Sequence, residues 1–162
     1  MKRLSSRHRA RIRTGLMAAG AATAALSAVA LWVAHKARKA ERRSPPHGRF
    51  VTVDGLRVHD LESGEGAPVV LLHGNLLSAE DFLSSGLMAS LSSQHRVIAI
   101  DRPGFGYSER PSGREWSAKT QASHVQRLLE VLQVRQPIVV GHSWGALVAL
   151  ELALRPAAES LG

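Results

Sequence analysis

The chain has 162 residues, of which 44% are hydrophobic, and a formal net charge of +8 at pH 7. It has no cysteine, which excludes a disulfide framework, a thiolate nucleophile and a cysteine-ligated metal site. The basic charge is confined to the start of the chain, because residues 1–48 carry +10 and residues 49–162 carry −2. A nucleic-acid-binding surface on the folded part is therefore not expected.

The first 48 residues have the composition of a membrane-directed leader. A basic segment at residues 1–13 precedes twenty-one uncharged residues at 14–34. As a helix these would reach about 31 Å, which matches the hydrocarbon core of a bilayer. A basic, proline-containing linker follows at residues 35–48. The pattern predicts a single-pass membrane anchor over 14–34, with the membrane as a partner.

Other interpretations of residues 14–34 stay open. Nine of them are alanine, and Ala28-Val29-Ala30 is a candidate cleavage site, so a signal peptide would give a secreted or periplasmic protein. The basic cluster from His35 to Arg43 is atypical directly after a cleavage site and favours the uncleaved anchor. An amphipathic extension is the third interpretation. Because both flanks are basic, the positive-inside rule gives no orientation.

Residues 49–162 alternate strand and helix patterns. Phe50 to Val53 and Leu56 to Leu61, joined by Asp54-Gly55, predict an antiparallel hairpin at the sheet edge. Apolar runs predict strands at 68–72, 96–100 and 137–140, and helical spacing predicts helices at 78–92, with Ser78 as N-cap, and at 117–132. The order ββ-βα-βα-βα predicts an α/β fold with a doubly wound, mostly parallel sheet, whose ligands bind at the carboxyl ends of the strands.

The sharpest functional signal is Gly141-His142-Ser143-Trp144-Gly145, between the last predicted strand and an apolar helix pattern. A serine hydroxyl is a poor nucleophile unless a turn holds it clear of its neighbours and facing backbone donors, which a strand-to-helix elbow does. Side chains at Gly141 and Gly145 would collide with the adjoining strand and helix. The first amides of the helix could stabilise an oxyanion.

Two further motifs follow predicted strands: Leu71-Leu72-His73-Gly74-Asn75, and the stretch from Asp101 to Ser108. With the elbow, these ordered motifs resemble the α/β-hydrolase family, specifically its serine-hydrolase branch of esterases, lipases, amidases and peptidases. The resemblance covers residues 50 to about 158. It implies that residues 49–162 are the N-terminal portion of an α/β-hydrolase domain.

The resemblance also implies roles for single residues. Ser143 would be the nucleophile, and the backbone amides of Asn75 and Trp144 would form the oxyanion hole. His73, His142 and Asp101 belong to their motifs as loop-stabilising residues, and Leu76 stands where many relatives have glycine or proline. The implied reaction is hydrolysis of a small-molecule ester or amide through an acyl-enzyme, without an organic cofactor. No metal is expected either, because the eight histidines show no metal-ligand spacing.

In this family the triad runs serine, then aspartate or glutamate, then histidine along the chain. After Ser143 the sequence has no histidine, and its only acids are Glu151 and Glu159, in or just beyond the elbow helix. The sequence therefore predicts a domain truncated after that helix, with the triad's acid and histidine outside it. Two hypotheses follow: a piece of a membrane-anchored serine hydrolase, or a catalytically inactive fragment or half-domain that needs a complementing chain.

The residue at the nucleophile position also distinguishes relatives that carry out other reactions. Dehalogenases and epoxide hydrolases with an aspartate nucleophile are disfavoured, because Ser143 occupies that position. Haloperoxidase-like and carbon–carbon bond hydrolases use the same serine and stay open.

Overall fold

The structure, a computed structural model, describes residues 20–21, 23–36, 39, 45–111, 113 and 115–155. The chain divides into two compact units, Met1–Pro45 and Pro46–Gly162.

In the first unit, residues 20–21, 23–36 and 39 are helical and exposed. The part of the chain that the structure describes contains no helix of sufficient length and apolarity to cross a membrane. The predicted basic segment 1–13, and residues 14–19 and 22 of the predicted anchor, lie outside the described residues. The anchor stays a prediction.

The second unit contains a mixed five-stranded sheet in the order β1-β2-β4-β3-β5. Its strands are β1 (Arg49–Val53), β2 (Leu56–Ser63), β3 (Ala67–Leu72), β4 (His95–Ile100) and β5 (Ile138–Gly141). Its helices are α1 (Glu80–Ser84), α2 (Leu87–Leu91), α3 (Ala118–Val131) and α4 (Trp144–Ala153). β3 pairs in parallel with β4 and β5, and β2 runs antiparallel to β1 and β4. The predicted doubly wound, mostly parallel sheet is confirmed.

The edge hairpin forms as the sequence predicts. Val53 is in register with Leu56, so the turn contains only Asp54 and Gly55, both at positive φ (51° and 75°). This turn geometry matches the right-handed twist of two paired strands, and Asp-Gly is among the pairs that adopt it at low cost. β1 is one outer strand of the sheet.

Helices cover both faces because successive side chains of the inner strands point to opposite sides. Val70, Leu72, Ile98 and Ile100 are fully buried against α3 and α4, in a core that also contains Val125, Leu128 and Val148. Leu71, Val97 and Ala99 face the other side, where they pack with Phe82 of α1 and Met88 of α2. This two-sided burial explains the continuous apolar runs of β3 and β4.

The predicted helix over 78–92 is wrong in two respects, the first being that it is two short helices separated at Gly86. Gly86 has a left-handed φ of 76°, which ends one helix and begins the next. Ser78 is also not the N-cap, since that position is Ala79 and no side chain caps it. The Asp81 carboxylate instead accepts the Ser78 backbone N–H at 2.7 Å, which is half of a capping box displaced by one residue.

The predicted helix over 117–132 is confirmed as α3. Ser117 is its N-cap, and its hydroxyl accepts the Thr120 backbone N–H at 3.3 Å. β5 and α4 follow at the other side of the sheet from β1. There Ile138 and Leu150 remain more than half exposed, at 57% and 56%.

Candidate active site

Three loops meet at the carboxyl ends of the parallel strands. Residues 73–79 follow β3, residues 101–117 follow β4, and His142-Ser143 follows β5. Since β3 lies between β4 and β5, its loop lies between the other two. The three sequence motifs are therefore brought together at one end of the sheet.

Ser143 lies in the strand-to-helix elbow that the sequence predicts. Its backbone is at φ 53° and ψ −117°, a conformation that side-chain-bearing residues rarely adopt. The residue is exposed, and its hydroxyl does not cap α4. The elbow thus holds the Ser143 hydroxyl at the surface, free of a local hydrogen bond.

Glycine is required on both sides of the serine. A Cβ on Gly141 would lie 2.4 Å from the Gly145 carbonyl oxygen, and one on Gly145 would lie 2.1 Å from the Leu72 carbonyl oxygen. Both distances are far below van der Waals contact and involve backbone that cannot swing away. α4 therefore packs directly on the end of β3.

Two backbone amides without a hydrogen-bond acceptor belong to the loops around the serine. Gly74 is close to it, since a Cβ on Gly74 would lie 3.1 Å from Ser143 Cβ. The N–H groups of Asn75 and Trp144 have no hydrogen-bond acceptor among the described residues. Asn75 and Trp144 also line one cavity of about 220 Å³, whose other walls include Phe105 and Trp116. This arrangement could take up an oxyanion formed over Ser143.

His73 is fully buried, and both of its ring nitrogens are engaged. Nδ1 donates to the Gly74 carbonyl at 2.7 Å, and Nε2 accepts the Arg102 backbone N–H at 3.0 Å. Burial, together with the nearby Arg102 cation, lowers the pKa of His73, which keeps the ring neutral. His73 is built into the loop, and in this position it is not available as a base for Ser143.

Asp101 joins three segments of the site from a fully buried position. Its carboxylate accepts the Ala79 N–H at 2.7 Å, the Tyr107 N–H at 2.9 Å and His59 Nδ1 at 2.8 Å. The other nitrogen of His59 contacts the His47 carbonyl oxygen. A carboxylate and a carbonyl only accept, so both nitrogens of His59 donate and the ring is protonated.

The pKa values of this pair shift in opposite directions. Burial alone would raise the pKa of Asp101, but the hydrogen bonds from His59, Ala79 and Tyr107 hold it below its usual value. Burial alone would lower the pKa of His59, but the bonds to Asp101 and the His47 carbonyl raise it. Both shifts favour the charged forms, and the two side chains are hydrogen-bonded to each other at 2.8 Å.

We expect the His59–Asp101 pair to make stability depend on pH. Because the folded-state pKa of His59 is raised, its contribution is complete below the ordinary histidine pKa and is lost as pH rises through the raised value. The contribution of Asp101, whose pKa is lowered, is lost only as pH falls through that lowered value. Urea unfolding of the chain and of His59→Gln at pH 6 and pH 9 measures this. The variant should lose less stability between the two pH values, and an identical loss in both proteins would contradict the assignment.

The sequence prediction missed two buried polar side chains, Arg102 and Gln121. Arg102 is fully buried and its guanidinium contacts the 73–75 loop and Gln121, which is 3% exposed. The signal in the sequence was the position of Gln121, four residues before the apolar Val125 on the buried face of α3.

Further candidates from the sequence are Leu76, Glu151 and Glu159. Leu76 has φ 63° and is 96% exposed, which explains why glycine suits this position. Glu151 lies on α4 eight residues beyond Ser143, and Glu159 lies outside the described residues. Within the described ranges, no three histidine, aspartate or glutamate side chains group in a way that could hold a metal ion.

Comparison with known proteins extends the sequence resemblance. A family model described as the alpha/beta hydrolase fold matches residues 67–160. The chain is 36% identical over 117 residues to a 2-hydroxymuconate semialdehyde hydrolase of Pseudomonas sp. (strain CF600), covering 72% of this chain and 41% of that protein. It is 32% identical over 118 residues to a haloalkane dehalogenase of Agrobacterium fabrum, covering 68% and 38%.

Solved structures agree with these matches. The crystal structure of an epoxide hydrolase from Vigna radiata is similar with a TM-score of 0.62 and 32% identity, over 67% of this chain and 35% of that one. The chain thus spans about two fifths of the length of the curated relatives it matches.

Proposed function

Because the chain belongs to the α/β-hydrolase fold family, we propose that it carries the nucleophile and oxyanion hole of a serine hydrolase. The substrate class is a small-molecule ester or amide, and the reaction passes through an acyl-enzyme on Ser143. The observation that carries the proposal is the elbow itself: an exposed serine at φ 53° and ψ −117°, at the start of α4 and next to Gly74.

Each group has a defined task in this reaction. The Ser143 Oγ attacks the carbonyl carbon of the substrate, and its proton passes to a general base. The carbonyl oxygen gains the negative charge, which the N–H groups of Asn75 and Trp144 stabilise. The positive end of α4 points to the same space and adds to this stabilisation. The leaving group departs with a proton from the protonated base, and water then hydrolyses the acyl-enzyme.

The acid and the histidine of the triad are proposed to come from residues outside this sequence. His73 is engaged on both nitrogens, His59 is protonated and buried, and Glu151 is two turns along α4. The similar hydrolases are more than twice as long as the matched segment, which leaves room for both groups.

A fluorophosphonate probe tests the proposal, because it phosphonylates only an activated serine. The 162-residue chain, and the chain continued by the coding sequence that follows it, are treated with the probe and analysed by peptide mass spectrometry. We expect labelling of Ser143 in the continued form and little or none in the 162-residue chain. A folded, continued form that is not labelled would overturn the proposal.

The names of the relatives indicate a small-molecule substrate. They are named for a semialdehyde, a haloalkane and an epoxide, all small molecules. Ser143 at the nucleophile position favours the acyl-transfer chemistry of the serine branch over that of the aspartate-dependent dehalogenases and epoxide hydrolases. The aromatic walls from Phe105, Trp116 and Trp144 favour an apolar group next to the reacting carbonyl.

The alternative, an inactive half-domain that needs a complementing chain, is supported by the surface of β5 and α4. Ile138 and Val140 of β5, and Leu147 and Leu150 of α4, are 40–57% exposed. An apolar outer strand is a template for pairing with another chain. Size-exclusion chromatography with light scattering tests this: a monomer that remains soluble at high concentration would count against it, and activity gained on adding a separate C-terminal segment would support it.

Attachment to a membrane through residues 14–34 is a separate proposal. Its support is the uncharged sequence and the exposure of Leu26, Leu31 and Trp32, each more than 60% exposed on the described helical residues. Sodium carbonate extraction of cells that express the chain, or the chain lacking residues 1–34, tests it. The full chain should stay with the membranes and the shortened one should not. Release of both, or a mature form cut near Ala30, would contradict the anchor.

A further inference from the structure

We propose that Arg102 is a positioning residue of the oxyanion hole, which fixes the Gly74–Asn75 peptide so that the Asn75 N–H faces the space beside Ser143. The proposal rests on the proposed function of that serine. It concerns a side chain for which the reaction described above has no task.

Arg102 is a buried cation with neutral partners. It is 0% exposed, and none of the described carboxylates lies within ion-pair distance of its guanidinium. Burial lowers the pKa of Arg102 to about 10, so the side chain still carries its charge at neutral pH. Burying a charge without an opposite charge is costly, and such a group persists where hydrogen bonds or function compensate for it.

The hydrogen bonds of Arg102 converge on the loop that carries the first oxyanion donor. Nε donates to the His73 carbonyl at 2.8 Å, and Nη2 donates to the Gly74 carbonyl at 2.9 Å and to Asn75 Oδ1 at 3.2 Å. Three consecutive residues are thus held by one planar, rigid group. A lysine could not make these hydrogen bonds to all three residues, because its N–H donors are all on one nitrogen atom.

Because the peptide group is planar, the hydrogen bond from Arg102 to the Gly74 carbonyl also sets the orientation of the Asn75 amide. In a trans peptide, the C=O of Gly74 and the N–H of Asn75 lie in one plane and point in opposite directions. Nη2 of Arg102 and Nδ1 of His73 both hold the Gly74 oxygen. The Asn75 N–H therefore points away from Arg102, and it has no acceptor among the described residues. Gly74 itself borders Ser143, so this free N–H lies beside the nucleophile.

The guanidinium is itself fixed on its other side. Nη1 donates to Gln121 Oε1 at 2.7 Å, and Gln121 Nε2 donates to the Trp116 carbonyl at 2.8 Å. The ring of Phe105 lies 4.5 Å from the guanidinium carbon. Arg102 therefore links the loop after β3 to α3, whose position is set by the core. Its positive charge, in a site of low polarity, also favours negative charge on the substrate oxygen.

Kinetics of Arg102→Lys test the proposal in the form of the protein that is labelled at Ser143. With p-nitrophenyl acetate we expect kcat to fall by about 100-fold, the cost of losing one oxyanion-hole donor, with KM changed less than about twofold. Affinity for a trifluoromethyl ketone, which forms an oxyanion on the serine, should fall in parallel with kcat. Arg96→Lys is the matched control, because it makes the same substitution in an arginine at the other end of β4, which pairs with Glu62 at 2.6 Å, and it should leave kcat unchanged. A wild-type kcat per folded molecule in Arg102→Lys would overturn the proposal.

A second readout does not depend on catalysis and applies to the full chain even if the probe fails to label Ser143. The carbonyl ¹³C signal of Gly74 and the amide ¹⁵N signal of Asn75 report the orientation and hydrogen bonding of this peptide. In Arg102→Lys both should shift by more than they do in Arg96→Lys. If wild type is unreactive but the signals shift, the proposed function fails and the positioning role stands. Unshifted signals would overturn the role of Arg102.

Discussion

In the form of the protein continued by the coding sequence that follows, replacement of Ser143 by alanine is expected to abolish fluorophosphonate labelling and to reduce hydrolysis by at least about 10⁴-fold, as loss of a triad nucleophile does. The reason is that the proposed acyl-enzyme forms on the Ser143 hydroxyl, which alanine removes. Ser90→Ala, which removes an exposed hydroxyl on α2, is the control and should leave both measurements unchanged. Hydrolysis that survives in Ser143→Ala would remove this residue from the mechanism.

A different substitution at Ser143, to glycine, is expected to increase the stability of the fold. A side-chain-bearing residue at φ 53° and ψ −117° stores about 1–3 kcal/mol of backbone strain. Ser143→Gly should relieve this strain and raise the free energy of unfolding, while it abolishes activity as alanine does. Urea unfolding of the two variants measures the difference. Equal stabilities would mean that the elbow is not strained.

Replacement of Gly145 by alanine is expected to cost more than about 3 kcal/mol of unfolding free energy. Helix propensity alone predicts the opposite sign, since alanine is favoured over glycine by about 1 kcal/mol inside a helix. The steric effect dominates because the new Cβ would lie 2.1 Å from the Leu72 carbonyl oxygen and 2.7 Å from that of His73. Both atoms are backbone, so β3 or α4 must move.

Gly86→Ala is the control, because it replaces a glycine by alanine without a steric clash. A Cβ at Gly86 would meet nothing within 4 Å, so only the left-handed φ of 76° opposes alanine there, at about 1–2 kcal/mol. Chemical denaturation of both variants gives the comparison. A loss in Gly145→Ala no larger than that in Gly86→Ala would mean that α4 does not pack on the end of β3 as closely as described.

Much of the fold followed from local patterns. The apolar runs of β3 and β4 and the spacing along α3 predict their elements because two-sided burial and helical periodicity are properties of consecutive residues. The Asp54-Gly55 turn was likewise predictable, because it depends on two consecutive residues. The split of the helix at Gly86 was missed because one glycine within a helical pattern is usually tolerated, and the left-handed break is set by packing of both short helices on the sheet.

In the candidate site, too, some features follow from local sequence and others depend on tertiary packing. Sequence by itself determined the candidate nucleophile at Ser143 and the need for Gly141 and Gly145, because an elbow joins adjacent residues whose sterics are local. Only the tertiary structure decided what surrounds it. Arg102 and Gly74 are 28 residues apart, and His59 and Asp101 are 42 apart, so no periodicity connects them. The first pairing depends on the parallel strands β3 and β4, which place their loops at one end of the sheet, and the second depends on the antiparallel pairing of β2 with β4. A buried charge reveals its partners only in that arrangement.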